Sequence, residues 1–152
     1  MLAENIKNFI SLKNIAVVGV SRSKSGFGLA VYEHLKNNGY SVYAINRKGG
    51  FSGHTKLYTS LFEIEQKIDG IVTVVPPTET EIVIQAAHDL EIKNVWMQLG
   101  SESKNAIDFC NSKGMNVISK ECILMFVEPV NSIHKFHRWI NKLTGKYPKA
   151  LT

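Results

Sequence analysis

Apolar residues along this 152-residue chain follow two rhythms. Short runs rich in Val and Ile alternate with longer stretches in which apolar residues recur every three or four positions. The first pattern suits strands buried on both faces of a sheet, the second amphipathic helices. Residues 4–12 form an amphipathic lead-in, with Ile6, Phe9 and Ile10 able to cover one end of a sheet. Ile15–Val18 is the first strand run, ended by Gly19. In FGLAVYEHLKNNG, Leu29, Tyr32 and Leu35 keep helical spacing until Gly39 supplies a left-handed stop. Tyr40–Ile45, Gly70–Val75, Asn94–Leu99 and Asn116–Ser119 are four further strand runs.

The intervening spacing predicts three more helices. Ser60 caps a short one carrying Leu61, Ile64 and Ile68, within an excursion over residues 51–69. Thr78 caps one from about Glu79 to Leu90, with Ile82, Ala86 and Leu90 on one stripe, after Pro76 and Pro77 stop the strand. Ser101–Gly114 is the third, with Ala106, Phe109 and Cys110 apolar at helical spacing. Strand and helix alternating five times imply an α/β fold: a Rossmann-like three-layer sandwich of about five parallel strands, helices on both faces, and a C-terminal helix. Ligands in such sheets sit beyond the carboxyl ends of the strands. The loops after Gly19, Ile45, Val75 and Leu99 gather at that edge.

The length predicts a single domain over residues 1–152, its core at about 12–126. No run approaches a membrane span, and the N-terminus is too polar for a signal peptide. Two cysteines, Cys110 and Cys122, make neither a disulfide framework nor a metal motif, so a cytoplasmic setting is expected. The net charge of +5 has a local origin. Lys135, Arg138, Lys142, Lys146 and Lys149 lie in a tail without acids, and the remaining charges balance. The expected basic helix at about 129–143 carries Ile133, Phe136, Ile140 and Leu143 as its apolar stripe. This distribution argues against nucleic acid as the main ligand. His134 and His137 lack further ligands at metal spacing, and no metal is expected.

The chemistry concentrates in two loops. After Gly19, the segment Ser21, Arg22, Ser23, Lys24, Ser25 brings two cations and three hydroxyls to the start of a helix. A helix start offers free N–H groups and a positive dipole end, so this loop reads as a phosphate site. It departs from G-x-G-x-x-G, because Ser21 and Lys24 stand where glycines would let a pyrophosphate lie on bare backbone. Gly26 and Gly28 come late. At the end of the second strand run, Asn46, Arg47 and Lys48 replace the acid that accepts ribose hydroxyls in NAD-binding units. Cations there favour a phosphorylated ribose. His54, beside the Gly49-Gly50 pair, reads as a solvated loop residue.

These segments, taken together, resemble the small bacterial CoA-binding proteins of the Rossmann type, which look like the N-terminal domain of the succinyl-CoA synthetase alpha subunit. The resemblance rests on IAVVGVSRSKSGFG, YSVYAINRKGG, SGHTKLYTSL, DGIVTVVPP, VWMQLG and KECILM, in that order. It implies that Gly19, Ser21, Arg22, Ser23, Lys24 and Gly28 belong to a loop holding CoA phosphates, and that Asn46, Arg47 and Lys48 match an Asn-Pro-Lys-like segment facing the nucleotide. Arg47 in place of proline adds a charge and frees an N–H. By the same resemblance Val75 and Pro76 line the adenine side, Met97, Gln98 and Gly100 border the pantetheine path, and Cys122 matches a cysteine common in the family.

CoA carries a pyrophosphate and a separate ribose phosphate, and the two basic loops supply two anion sites. The synthetase itself also uses a domain with a phosphorylated histidine and a beta subunit, and no motif for either stands in this sequence. There is no P-loop, G-x-S-x-G elbow or metal cluster. The expectation is a CoA or acyl-CoA binding module without turnover and with no catalytic residue of its own. Two alternatives stay open. One is a small NADP-dependent oxidoreductase using Arg47 and Lys48 on the 2′-phosphate. The other is a nucleotide-sensing or interaction protein, with a protein partner or a homodimer.

Overall fold

The computed structural model describes residues 2–127. The expected basic helix at 129–143, with His134 and His137, lies outside the described residues. Within them the order is α1 (Leu2–Ile10), β1 (Asn14–Val18), α2 (Phe27–Asn37), β2 (Ser41–Ile45), β3 (Gly50–Ser52), β4 (Thr55–Tyr58), β5 (Gly70–Thr73), α3 (Pro77–Asp89), β6 (Asn94–Met97), α4 (Lys104–Ser112) and β7 (Asn116–Ile118). Single 3₁₀ turns stand at Leu61–Glu63 and Ile123–Met125.

The strands form one sheet in the order β3-β4-β2-β1-β5-β6-β7. All neighbours are parallel except β3, which pairs antiparallel with β4 at the edge. The architecture is the expected Rossmann-like α/β sandwich, with two strands more than the five anticipated. Both come from residues 50–58, where Gly53 takes a φ of 61° and lets the chain reverse within a short hairpin. Strands that short carry too little periodicity to be recognised from sequence.

β1 shows why the sheet is buried on both faces. Successive side chains of a strand point to opposite sides. Ile15 and Val17 therefore enter one core with α1, α2 and the 123–127 segment. Ala16 and Val18 enter the other with α3, α4, Leu61, Ile64 and Ile68. Trp96 of β6 anchors the first core, edge-on to Phe9 at 5.4 Å between ring centroids, with its indole N–H donating to the Glu121 carbonyl at 3.0 Å.

Several local expectations are corrected. Residues 60–69 hold one 3₁₀ turn instead of a helix: the Ser60 side chain makes no cap bond, and Ile64 is already extended. Leu61, Ile64 and Ile68 are buried all the same. Tertiary burial is enough to place them, and so short a segment gains little from helix formation. α3 starts at Pro77, with Pro76 in the cap position, because proline's fixed φ suits a first turn. Its buried stripe is Thr80, Ile84 and Ala87, which leaves Ile82 71% exposed. α4 begins after Ser103, whose hydroxyl accepts from the Ala106 N–H. Ser101 is buried and closes a hydroxyl chain from Thr73 to Thr80. β6 ends at Met97, and Leu99 is exposed.

Candidate functional site

The chain runs outward from β1 to β2 and β4, then returns across β1 to build β5, β6 and β7. This reversal opens a crevice at the carboxyl ends of the strands, the place where doubly wound sheets receive ligands. A cavity of about 630 Å³ occupies it. Its lining includes the polar residues Ser21, Arg22, Ser23, Asn46, Arg47 and Lys48 and the apolar residues Val18, Ile45, Leu61, Val75, Val83 and Ala86. Such a volume, lined by apolar side chains and a few polar groups, suits a nucleotide-sized ligand.

Backbone geometry places the first loop. The N–H groups of Gly19 and Val20 both donate to the Ile45 carbonyl, at 3.0 and 3.1 Å, so those two donors are already engaged. The hydroxyls of Ser21 and Ser23 lie 2.8 Å apart, those of Ser23 and Ser25 3.2 Å apart, and the Ser23 N–H donates to Ser21 Oγ. α2 starts behind this loop from Gly26, with no side-chain cap. An uncapped helix start leaves its first-turn N–H groups without intrahelical acceptors.

Asn46 joins the two basic loops. Its Nδ2 donates to the Val20 carbonyl at 2.9 Å, and its Oδ1 accepts the Lys48 N–H at 2.9 Å. Its own N–H donates to the Tyr58 carbonyl. The edge hairpin braces the same region. Ser52 Oγ donates to the Ser23 carbonyl, and the Arg22 side chain passes over Gly50. Within the cavity lining, Arg47 Nη2 lies 3.2 Å from Glu79 Oε1. Neither Arg22 nor Lys48 is in an ion pair among the described residues.

The residues singled out from sequence divide accordingly. Gly19, Ser21, Arg22, Ser23, Asn46, Arg47, Lys48 and Val75 line the cavity. Lys24 is on the loop but not in the lining, and Gly28 is buried beneath it. Pro76 is exposed at the α3 cap, and Gly100 is exposed on the loop after β6. Met97 is fully buried; Gln98 is nearly so, its Oε1 accepting the Ile123 N–H at 3.1 Å. Cys122 is buried beside Gln98, and burial pushes its thiol pKa up. Burial raises the Cys110 thiol to about 11. Neither is set up as a thiolate nucleophile near neutral pH. No group of three metal-ligating side chains occurs among the described residues.

Sequence reasoning missed Thr59–Phe62, Glu79, Ile82 and Val83 as cavity residues. Phe62 and Ile82 are large, apolar, and 60% and 71% exposed at this cavity. No local signal marked Ile82, because the sequence put it on the apolar stripe of α3 and packing turned Thr80, Ile84 and Ala87 inward instead.

Fold and crevice define a Rossmann-type nucleotide-binding domain. A family model described as "CoA binding domain" matches residues 13–128, and the chain belongs to that family. Among curated proteins it is similar to the alpha subunit of acetate–CoA ligase [ADP-forming] I from Pyrococcus furiosus, 29% identical over 122 residues, covering 70% of this chain and 26% of the relative. The alpha subunit of acetate–CoA ligase [ADP-forming] II from the same organism is 25% identical over 126 residues, with 76% and 28% covered. The chain thus spans about a quarter of the length of these relatives. Among solved structures, a conserved hypothetical protein from Pyrococcus furiosus superimposes with a TM-score of 0.67 at 30% identity, covering 74% of this chain and 97% of the other. A hypothetical protein from Pyrococcus horikoshii gives 0.75 at 27%, covering 81% and 87%. No helix among the described residues is long and apolar enough to cross a membrane.

Proposed function

We propose that the chain binds coenzyme A, free or acylated, in the crevice at the carboxyl edge of the sheet, and that it does not turn the ligand over by itself. The observation that carries this reading is the convergence of two basic loops on one cavity that apolar residues also line. Arg22 with the serine hydroxyls and the α2 N-terminus suits a pyrophosphate, and Lys48 with Arg47 suits a ribose phosphate. The base would lie against Val75 and its apolar neighbours, near Pro76. The pantetheine arm would leave past Gly100, above the buried Met97 and Gln98.

Family membership and the acetate–CoA ligase relatives support coenzyme A over other phosphorylated nucleotides. A carrier, sensor or partner of an acyl-CoA enzyme in the cytoplasm is the setting this reading favours. NADP, with its own ribose phosphate, is the competing ligand. Native mass spectrometry of the purified protein with equimolar CoA and NADP tests the choice. A mass increment for CoA or an acyl-CoA is expected. An increment for NADP alone would overturn the reading in favour of an oxidoreductase, and no increment from either would remove the cavity as a nucleotide site.

A further inference from the structure

The cavity holds a carboxylate among its cations. Arg47 reaches from the turn after β2 and Glu79 from the first turn of α3, and both line the cavity. Their side chains meet at 3.2 Å, with Arg47 78% exposed and Glu79 27% exposed. The position of Glu79 favours a negative charge, because the N-terminal dipole of a helix stabilises a carboxylate there. The exposure of Arg47 makes the pair weak and easily displaced. A phosphate offers Arg47 more acceptor oxygens and more charge than a single carboxylate. Arg22 and Lys48, by contrast, are in no ion pair among the described residues. The site therefore combines two standing cations with one held in reserve.

We propose that Glu79 is a specificity-determining residue: it pairs with Arg47, and a ribose phosphate of the ligand displaces it there. This inference rests on the CoA reading above and adds to it a setting for how strongly the ribose phosphate counts. A ligand without that phosphate leaves the Arg47–Glu79 pair intact and gains nothing from Arg47. A ligand with it must first separate the pair, so Glu79 moderates affinity for CoA without touching affinity for dephospho-CoA.

The test is calorimetric titration of CoA and dephospho-CoA into the wild-type protein, Glu79→Gln, Arg47→Ala and the double variant. Glu79→Gln is expected to bind CoA about fivefold more tightly, the scale of one exposed ionic interaction, with dephospho-CoA unchanged within about twofold. In the Arg47→Ala background the same substitution should bring no gain, because Glu79 acts through Arg47. Equal shifts for both ligands would overturn the proposal, as would a full gain that persists without Arg47. Wild-type protein that binds CoA while Glu79→Gln matches it rejects this inference alone. Wild-type protein that binds neither ligand rejects the CoA reading, and this inference with it. Thermal melts of each variant separate a binding change from loss of fold.

Discussion

A β-carbon placed on Gly28 would lie 2.1 Å from the carbonyl oxygen of Gly19. α2 thus sits directly on the end of β1, with backbone against backbone and no room for a side chain. Gly28→Ala must push the helix off the strand, since the obstructing atom cannot rotate away. A loss of about 1–3 kcal/mol is expected, the usual range for overpacking. Chemical denaturation should show it as a lower midpoint with an unchanged slope.

Asn46 holds the two basic loops together through the Val20 carbonyl and the Lys48 N–H. Asn46→Ala removes both bonds and leaves two backbone groups to find water. The expected cost is about 1–2 kcal/mol in stability, at about 1 kcal/mol per net bond. Affinity for CoA should fall as well, because Arg47 and Lys48 lose their fixed turn. Denaturation and titration of the same sample check both, and unchanged affinity would show that the turn keeps its form without Asn46.

Arg22 and Lys48 stand at opposite loops of the cavity. Replacing both with Ala is expected to weaken CoA more than dephospho-CoA, since one of the two lost contacts belongs to the ribose phosphate. Each charge-assisted bond is worth roughly 1.5–3 kcal/mol. The discrimination between the two ligands should therefore fall by a factor of about ten or more. Equal losses for both ligands would show that neither residue reads the ribose phosphate.

Cys110 is fully buried, and burial raises its thiol from an ordinary 9.0 to about 11. Below pH 9 the thiol is neutral in both the folded and the unfolded chain. Between pH 9 and about 11 the unfolded chain gives up the proton while the folded chain keeps it. Stability must fall with rising pH across that window. Denaturation series of the wild type and Cys110→Ala at several pH values isolate this contribution, and the slope should be shallower in the variant. The wild-type thiols should also react with a disulfide reagent at pH 8 only as fast as the chain opens.

Much of this architecture is legible in the sequence because parallel strands buried on both faces announce themselves. Ile15–Val18 and Gly70–Thr73 are apolar on every side-chain face but for the buried Thr73, and their positions follow from that. Leu29, Tyr32 and Leu35 mark the buried face of α2 equally well. The polar part of the cavity lining was readable in part, since Ser21, Arg22 and Ser23 after the glycine-ended strand line the cavity while Lys24 does not. The hairpin of β3 and β4 was not, because three- and four-residue strands depend on pairing more than on pattern.

The alternation of strands and helices, the two-sided core and the two basic loops can be read from residue order alone. Those depend on local hydrophobic period and on residue type, which a chain displays before it folds. Only the tertiary structure decided that Ile82 turns away from the core of α3, that Met97 and Gln98 are buried, and that Glu79 meets Arg47 in the cavity lining. The first and the last depend on how α3 is rotated against the sheet, while Gln98 is buried against Ile123, 25 residues further along the chain. Contacts of that kind join residues far apart in the chain, and no local pattern encodes them.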